Sequence, residues 1–382
     1  MPISPYRLGA TTTIALQCDK RFSYCLYVPR GYVAEGERSL PVLTLVHGSD
    51  RRPQQLRDEF AAFCEENRCI ALAPLFPAGI EAPDEFDGYK YLGGGDLRYD
   101  HVLLAMLDEV QAVYGADTGR FLLFGFSGGA HFAHRFLLLH PDRLLAVSVA
   151  APGAVTLLDG RRDWPAGIRG MDRLFGAQPD LSEAARVPVQ LVVGGMDTDT
   201  SAIAVSRDHP AWIEGVNDQG VSRVQRLEAL RGSLASAGVR AQHEVVTGGS
   251  HNLTDVLPPA RRFLSRVLAA RSGRGCWITA APVGRHTEDT LPRRCGPAAP
   301  RSQVSELRSS LSIRSQERRQ FSIAAAAAAL PSPRSNAAIS CRCSSHAVAQ
   351  ISSCPQACRS IRIRSLVTCS SISTSTSLPV RW

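Results

Sequence analysis

Short apolar runs alternate with amphipathic, charged stretches along most of the chain. Pro41 to Val46 (PVLTLV), Cys69 to Leu75, Phe121 to Phe126, Leu144 to Val149, Val189 to Val193 and His243 to Val246 are short runs of the kind expected for buried strands. Between them, Pro53 to Asn67 places Phe60 and Phe63 on one helical face. Asp100 to Tyr114 does the same with Val102, Met106, Val110 and Val113. Gly128 to His140 reads as a helix stopped by Pro141, and Val221 to Ala237 and Arg261 to Ala270 as two more. Strand and helix in alternation call for an α/β fold: a mostly parallel, doubly wound sheet with right-handed crossovers and helices on both faces. Ahead of it, Thr11 to Leu16 and Ser23 to Val28 flank polar Asp19-Lys20-Arg21, the look of an antiparallel hairpin. Gly79 to Gly95 is a predicted loop. Ala154 to Val187, with Trp164, Ile168, Met171, Leu174 and Phe175, is expected either as a short insert over the strand ends or as an ordinary long connection.

The strand at Phe121 to Phe126 runs into Gly125-Phe126-Ser127-Gly128-Gly129 and then into a helix. A serine flanked by glycines at two-residue offsets, entered from a strand and left into a helix, is the sequence form of a nucleophile elbow. Gly125 and Gly129 are needed because side chains there would strike neighbouring backbone in so tight a turn. A serine hydroxyl is a weak nucleophile, so it requires a base within hydrogen-bond reach and a group that orients that base.

Candidates follow in the order serine, acid, histidine. Asp197 comes after the strand ending at Val193, through Gly194-Gly195-Met196; His251 comes after the strand ending at Val246, through Thr247-Gly248-Gly249-Ser250. In a parallel sheet both loops emerge at the edge that carries Ser127. Asp199 competes for the acid role, and Asp197 is preferred because it lies nearer the strand end. For the oxyanion of a tetrahedral intermediate, the expected donors are the N–H of Gly128, just after the nucleophile, and the N–H of Ser49. Ser49 belongs to His47-Gly48-Ser49 after the strand Pro41 to Val46; Gly48 permits close approach, and His47 is expected to hold the loop. His131 and His134, three apart on the helix behind Ser127, could mimic a two-histidine metal site but are read as packing or support, and no metal is expected. His101 and His140 carry no stronger signal.

Residues from about Thr11 to Ala270 resemble the α/β-hydrolase fold. The stretch from Gly95-Asp96-Leu97 through the elbow to Ala151-Pro152-Gly153 is similar to bacterial esterases of the polyhydroxybutyrate-depolymerase and feruloyl-esterase-like group. The resemblance implies a Ser127, Asp197, His251 triad, carboxylic-ester hydrolysis and no cofactor. A peptidase or thioesterase on the same triad is the enzymatic alternative, since fold does not settle substrate. A non-catalytic scaffold that holds a ligand is the alternative of a different class. The expected partner is a small-molecule ester, with no nucleic acid and no membrane.

Composition divides the chain. Of 43 Lys and Arg and 35 Asp and Glu, 14 Arg and 4 acids lie beyond Gly275, so the body is close to neutral and the basic excess belongs to the tail. Seven of the 11 cysteines lie there too, leaving Cys18, Cys25, Cys64 and Cys69 in the body. Cys18 and Cys25 could pair across a turn, but apolar surroundings favour free thiols. Met1 to Ala10 lacks a signal-peptide pattern, and no stretch reaches the roughly 18 apolar residues of a membrane span, so a cytoplasmic location is expected. Residues 1–274 are predicted as the hydrolase domain and 275–382 as a low-complexity tail with six consecutive alanines, no lysine, and many Ser and Arg. A basic tail that binds nucleic acid calls for aromatic platforms, and only Trp277, Phe321 and Trp382 are present. Cys341, Cys343, Cys354 and Cys358 match no common zinc spacing. Such a composition is what GC-rich DNA yields when translated out of frame, and the tail is expected to be a frame artefact or unfolded.

Overall fold

A computed structural model of the chain describes residues 4–32, 39–94, 96–201, 203–208 and 212–272. In chain order the strands and helices are β1 (Gly9–Ala10), β2 (Ile14–Ala15), β3 (Ser23–Val28), β4 (Pro41–Val46), α1 (Pro53–Glu59), α2 (Ala61–Asn67), β5 (Ile70–Leu75), β6 (Gly93–Gly94), β7 (Leu97–Arg98) and α3 (Tyr99–Tyr114). They continue as β8 (Asp117–Phe126), α4 (Gly128–Leu139), β9 (Leu144–Ala150), α5 (Met171–Phe175), α6 (Leu181–Ala184), β10 (Val189–Gly194), α7 (Arg223–Ser236), β11 (Ala241–Val246) and α8 (Leu253–Arg271). The tail predicted over 275–382 lies outside the described residues.

Among the described residues, a nine-stranded sheet has the order β1-β3-β5-β4-β8-β9-β10-β11, with β2 also on β3. From β5 to β11 every neighbouring pair is parallel, and β3 joins β1, β2 and β5 antiparallel. The alternation of side chains along a strand explains why these runs are apolar throughout. Val42 and Val46 of β4 enter a core shared with α3, α4 and α7, while Leu43 and Leu45 enter a second core shared with α1, α2 and α8. Each fully buried side chain of this size contributes about 1.5–3 kcal/mol, so both faces are strongly held.

Several boundaries differ from the sequence expectation, each for a local reason. The helix expected over 53–67 breaks at Phe60, whose N–H donates to Arg57 O in a tightened turn. Its ring is fully buried against Phe63 and Phe124. β8 starts at Asp117 because Gly119 and Arg120, exposed at the sheet's end, mask the strand pattern. α8 starts at Leu253, eight residues before Arg261, and passes through Pro258 and Pro259. Two missing N–H donors weaken that turn, but Val256, Leu257, Pro259 and Ala260 are buried there, and the Pro259 carbonyl accepts from Gln190 Nε2 at 3.1 Å. The segment after β9 starts at the strand ends with Gly153 and Ala154 and then folds back through α5 and α6.

The sheet order places a topological switch at β4, whose neighbours are β5 on one side and β8 on the other. Connections leave in opposite directions there, opening a crevice at the carboxyl ends of the strands. His47-Gly48-Ser49 leaves β4 at that point, and Ser127 leaves the adjacent β8, where Val46 pairs with Gly125.

Candidate active site

Ser127 has φ 54° and ψ −113°, outside the conformations a residue with a side chain ordinarily adopts. Backbone packing on both sides forces it. A Cβ on Gly125 would stand 2.1 Å from Gly129 O, and a Cβ on Gly129 would stand 2.0 Å from Val46 O. A Cβ on Gly128 would stand 2.2 Å from the Tyr89 hydroxyl, which fills the space above the first turn of α4. The elbow is thus wedged between β4, α4 and the turn that carries Tyr89, and the Ser127 hydroxyl projects from its tip.

His251 Nε2 lies 3.1 Å from Ser127 Oγ, and its Nδ1 lies 2.7 Å from Asp197 Oδ2. The acid and histidine loops are laced together: Gly195 N–H donates to Val246 O at 2.8 Å and Met196 N–H to Gly249 O at 2.7 Å. The imidazole stacks on Phe126 at 5.0 Å between ring centres. The His251 side chain is 31% exposed, whereas that of Asp197 is 1% exposed. Burial alone would raise the Asp197 pKa; the hydrogen bond from His251 and the charge of Arg223 outweigh it and hold the carboxyl below its ordinary value. Asp199 turns elsewhere, its Oδ1 accepting from the Ser201 N–H at 2.9 Å and hydroxyl at 2.7 Å.

The loop after β4 is fixed through His47. The Phe76 N–H donates to His47 Nε2 at 3.0 Å, so the ring proton sits on Nδ1 and donates to Gly48 O at 2.7 Å. Burial pushes the His47 pKa down to about 4, which keeps the ring neutral. Arg51 N–H also donates to Gly48 O, at 3.1 Å, and Arg51 Nη1 donates to Ser49 O at 3.0 Å. Because a peptide is planar and trans, holding the Gly48 carbonyl fixes the Ser49 N–H in the opposite direction. Ser49 N lies 3.2 Å from where a Cβ on Gly128 would stand. The Gly128 N–H belongs to the first turn of α4, where amides have no helical partner and the dipole is positive.

A cleft of about 200 Å³ opens beside Ser127, with Ser49, Gly128, Lys90, His131, Ile203 and Arg223 among its walls. A second, of about 210 Å³, lies on the far side of His251 against Phe126, Asp50, Arg52, Gln55 and Asn252. His131 and His134 support the wall from α4. His131 Nε2 accepts from the Gly153 and Ala154 N–H groups at 2.8 and 3.0 Å, and His134 Nε2 from the Thr156 N–H at 3.0 Å. Those ring nitrogens are committed to backbone donors, and burial lowers both pKa values, that of His134 to about 3.

Sequence reasoning missed several residues around the site. Arg223 donates to Asp197 Oδ1 at 2.9 Å from the start of α7, and Lys90, paired with Asp87 at 2.7 Å, lines the cleft. Neither carries a motif, because each reaches the site through tertiary packing. His101 and His140 come together with Asp100, their potential ligand atoms lying within 4.8 Å of one another. Both Asp100 oxygens are already engaged by Arg98, at 2.9 and 2.6 Å, and one of them by His140 at 2.7 Å.

The architecture is the α/β-hydrolase fold. Poly(aspartic acid) hydrolase-1 from Sphingomonas sp. KT-1 superposes with a TM-score of 0.56 at 20% identity, covering 66% of this chain and 97% of that one. The poly(3-hydroxybutyrate) depolymerase LpqC from Bordetella parapertussis superposes at 0.50 with 22% identity, covering 67% of this chain and 86% of that one. No protein-family model and no curated protein matches the chain. Among the described residues, no helix is long and apolar enough to cross a membrane.

Proposed function

We propose that the chain is a serine hydrolase that cleaves small or medium carboxylic esters through an acyl-enzyme. The observation that carries this reading is the His251 imidazole, within hydrogen-bond distance of Ser127 Oγ on one side and Asp197 on the other. Ser127 Oγ attacks the ester carbonyl carbon while its proton passes to His251 Nε2. Negative charge then gathers on the carbonyl oxygen, where the Gly128 and Ser49 N–H groups receive it. The intermediate collapses, the C–O bond to the alcohol breaks, and His251 delivers its proton to the departing oxygen. Water, deprotonated by the same nitrogen, hydrolyses the acyl-enzyme and regenerates Ser127. Asp197 keeps the Nδ1 proton in place throughout. No step draws on a cofactor.

The modest cleft beside Ser127, about 200 Å³, supports a small acyl group. The names of the two similar structures, a hydrolase of poly(aspartic acid) and a depolymerase of poly(3-hydroxybutyrate), support hydrolysis as the reaction class. A cytoplasmic setting is part of the proposal. The test is turnover of p-nitrophenyl acetate, p-nitrophenyl butyrate, a feruloyl ester and a peptide anilide by the full chain and by Ser127→Ala. Ester hydrolysis that disappears in Ser127→Ala is expected. Faster cleavage of the anilide would move the assignment to a peptidase, and activity retained in Ser127→Ala would overturn the nucleophile.

A further inference from the structure

We infer that Arg223 is a positioning residue for this reaction, gripping one oxygen of the Asp197 carboxylate so that the other stays aimed at His251. The inference rests on the hydrolase reading above. The carboxylate's two oxygens are divided, Oδ2 to His251 Nδ1 at 2.7 Å and Oδ1 to Arg223 Nη1 at 2.9 Å. A carboxylate held at one oxygen alone can turn about its own axis; held at both, its plane is set, and with it the line to the imidazole. The two side chains are buried together, Arg223 7% and Asp197 1% exposed, so the bond is little weakened by water.

Arg223 stands at the first position of α7, where the helix dipole disfavours a cation. Helix stability therefore does not explain an arginine there, whereas a buried carboxylate facing it does. Its neighbour one turn on, Arg226, serves architecture instead: Nε donates to Gly220 O at 2.9 Å, and Nη1 to Ile203 O at 2.9 Å and to Gly153 O. Among the described residues, other charged groups beside His251 include Asp50 and Arg52 across the second cleft, and Asp255, which accepts from the Ser250 N–H at 2.8 Å. None of these hydrogen bonds runs to the Asp197 carboxylate.

Arg223 also borders the cleft, so a role in holding substrate is the competing outcome. The experiment measures kcat and KM of p-nitrophenyl acetate hydrolysis for wild type, Arg223→Met, Arg223→Lys, Asp197→Asn and the Asp197→Asn/Arg223→Met double variant. Arg223→Met is expected to lower kcat by up to about 10²-fold while KM stays within about twofold. In the Asp197→Asn background the same change is expected to cost nothing further, because Arg223 acts through that carboxylate. A loss confined to KM, or an equal loss in both backgrounds, overturns the inference. Where Arg223→Met fails to fold, Arg223→Lys decides: it keeps the charge, but its ammonium on a differently shaped stem does not stand where Arg223 Nη1 meets Asp197 Oδ1, so a several-fold drop in kcat is expected, and wild-type turnover contradicts it. Wild type without Ser127-dependent ester hydrolysis sinks the hydrolase reading itself, whereas Ser127-dependent hydrolysis indifferent to Arg223 sinks only this inference.

Discussion

The loops after β4 and β8 and the loops after β10 and β11 meet around Ser127, yet different forces hold them. On the elbow side the positions are set by backbone contact: Gly125 and Gly129 admit no side chain, and the Gly48 carbonyl is pinned by His47 and Arg51. On the acid and histidine side they are set by charge and side-chain hydrogen bonds, from Arg223 to Asp197 to His251. The first kind of constraint tolerates almost no change in shape. The second tolerates shape better than it tolerates a change in charge or donor pattern.

The sharpest break of the acid side is Asp197→Asn, which keeps the shape but offers His251 the wrong hydrogen-bond partner; kcat is expected to fall about 10⁴-fold. Retention of near-wild-type turnover in steady-state kinetics would remove Asp197 from the account. On the elbow side, His47→Asn releases the Gly48–Ser49 peptide, and a loss of about 10² to 10³ in kcat is expected with KM little changed. A KM effect without a kcat effect would count against Ser49 as an oxyanion donor. Gly129→Ala pushes a methyl against Val46 O and is expected to destabilise the fold by about 3 kcal/mol in chemical denaturation.

The two sides also differ in their response to acid. His47 is buried and neutral with a pKa of about 4, below the roughly 6.5 of an unfolded histidine. Between those values the unfolded chain binds more protons, so this stabilising contribution is complete above about pH 6.5 and is lost as pH falls through 4. It amounts to about 3 kcal/mol at most. Denaturation followed from pH 7 to 4 should show a shallower slope in His47→Gln than in wild type; identical slopes would contradict the neutral, buried state. The smallest effect belongs to Asp199→Ala, expected to change kcat by less than about twofold and stability by about 0.5 kcal/mol or less. A larger loss would reopen the choice of acid.

How much of this was legible beforehand follows the same division. The parallel sheet, the elbow glycines and the order of Ser127, Asp197 and His251 were readable because they rest on local pattern: apolar period, glycine where a turn has no room, a polar residue just past a strand. Arg223, Lys90 and Tyr89 were not readable, since each reaches the site from another part of the chain and its residue type at that position is ordinary; Arg51 lies in the loop after β4 itself, but an arginine there carries no motif. The start of α8 was hidden for the opposite reason, Pro258 and Pro259 being local signals that tertiary burial overrides.

One measurement bears most directly on the Ser127, His251 and Asp197 arrangement: covalent labelling of the full chain by a fluorophosphonate, with the modified residue identified by mass spectrometry. A single adduct on Ser127 is expected in wild type, absent from Ser127→Ala and formed far more slowly in His251→Ala. No adduct on wild type, or labelling of Ser127→Ala at the wild-type rate, would contradict the account.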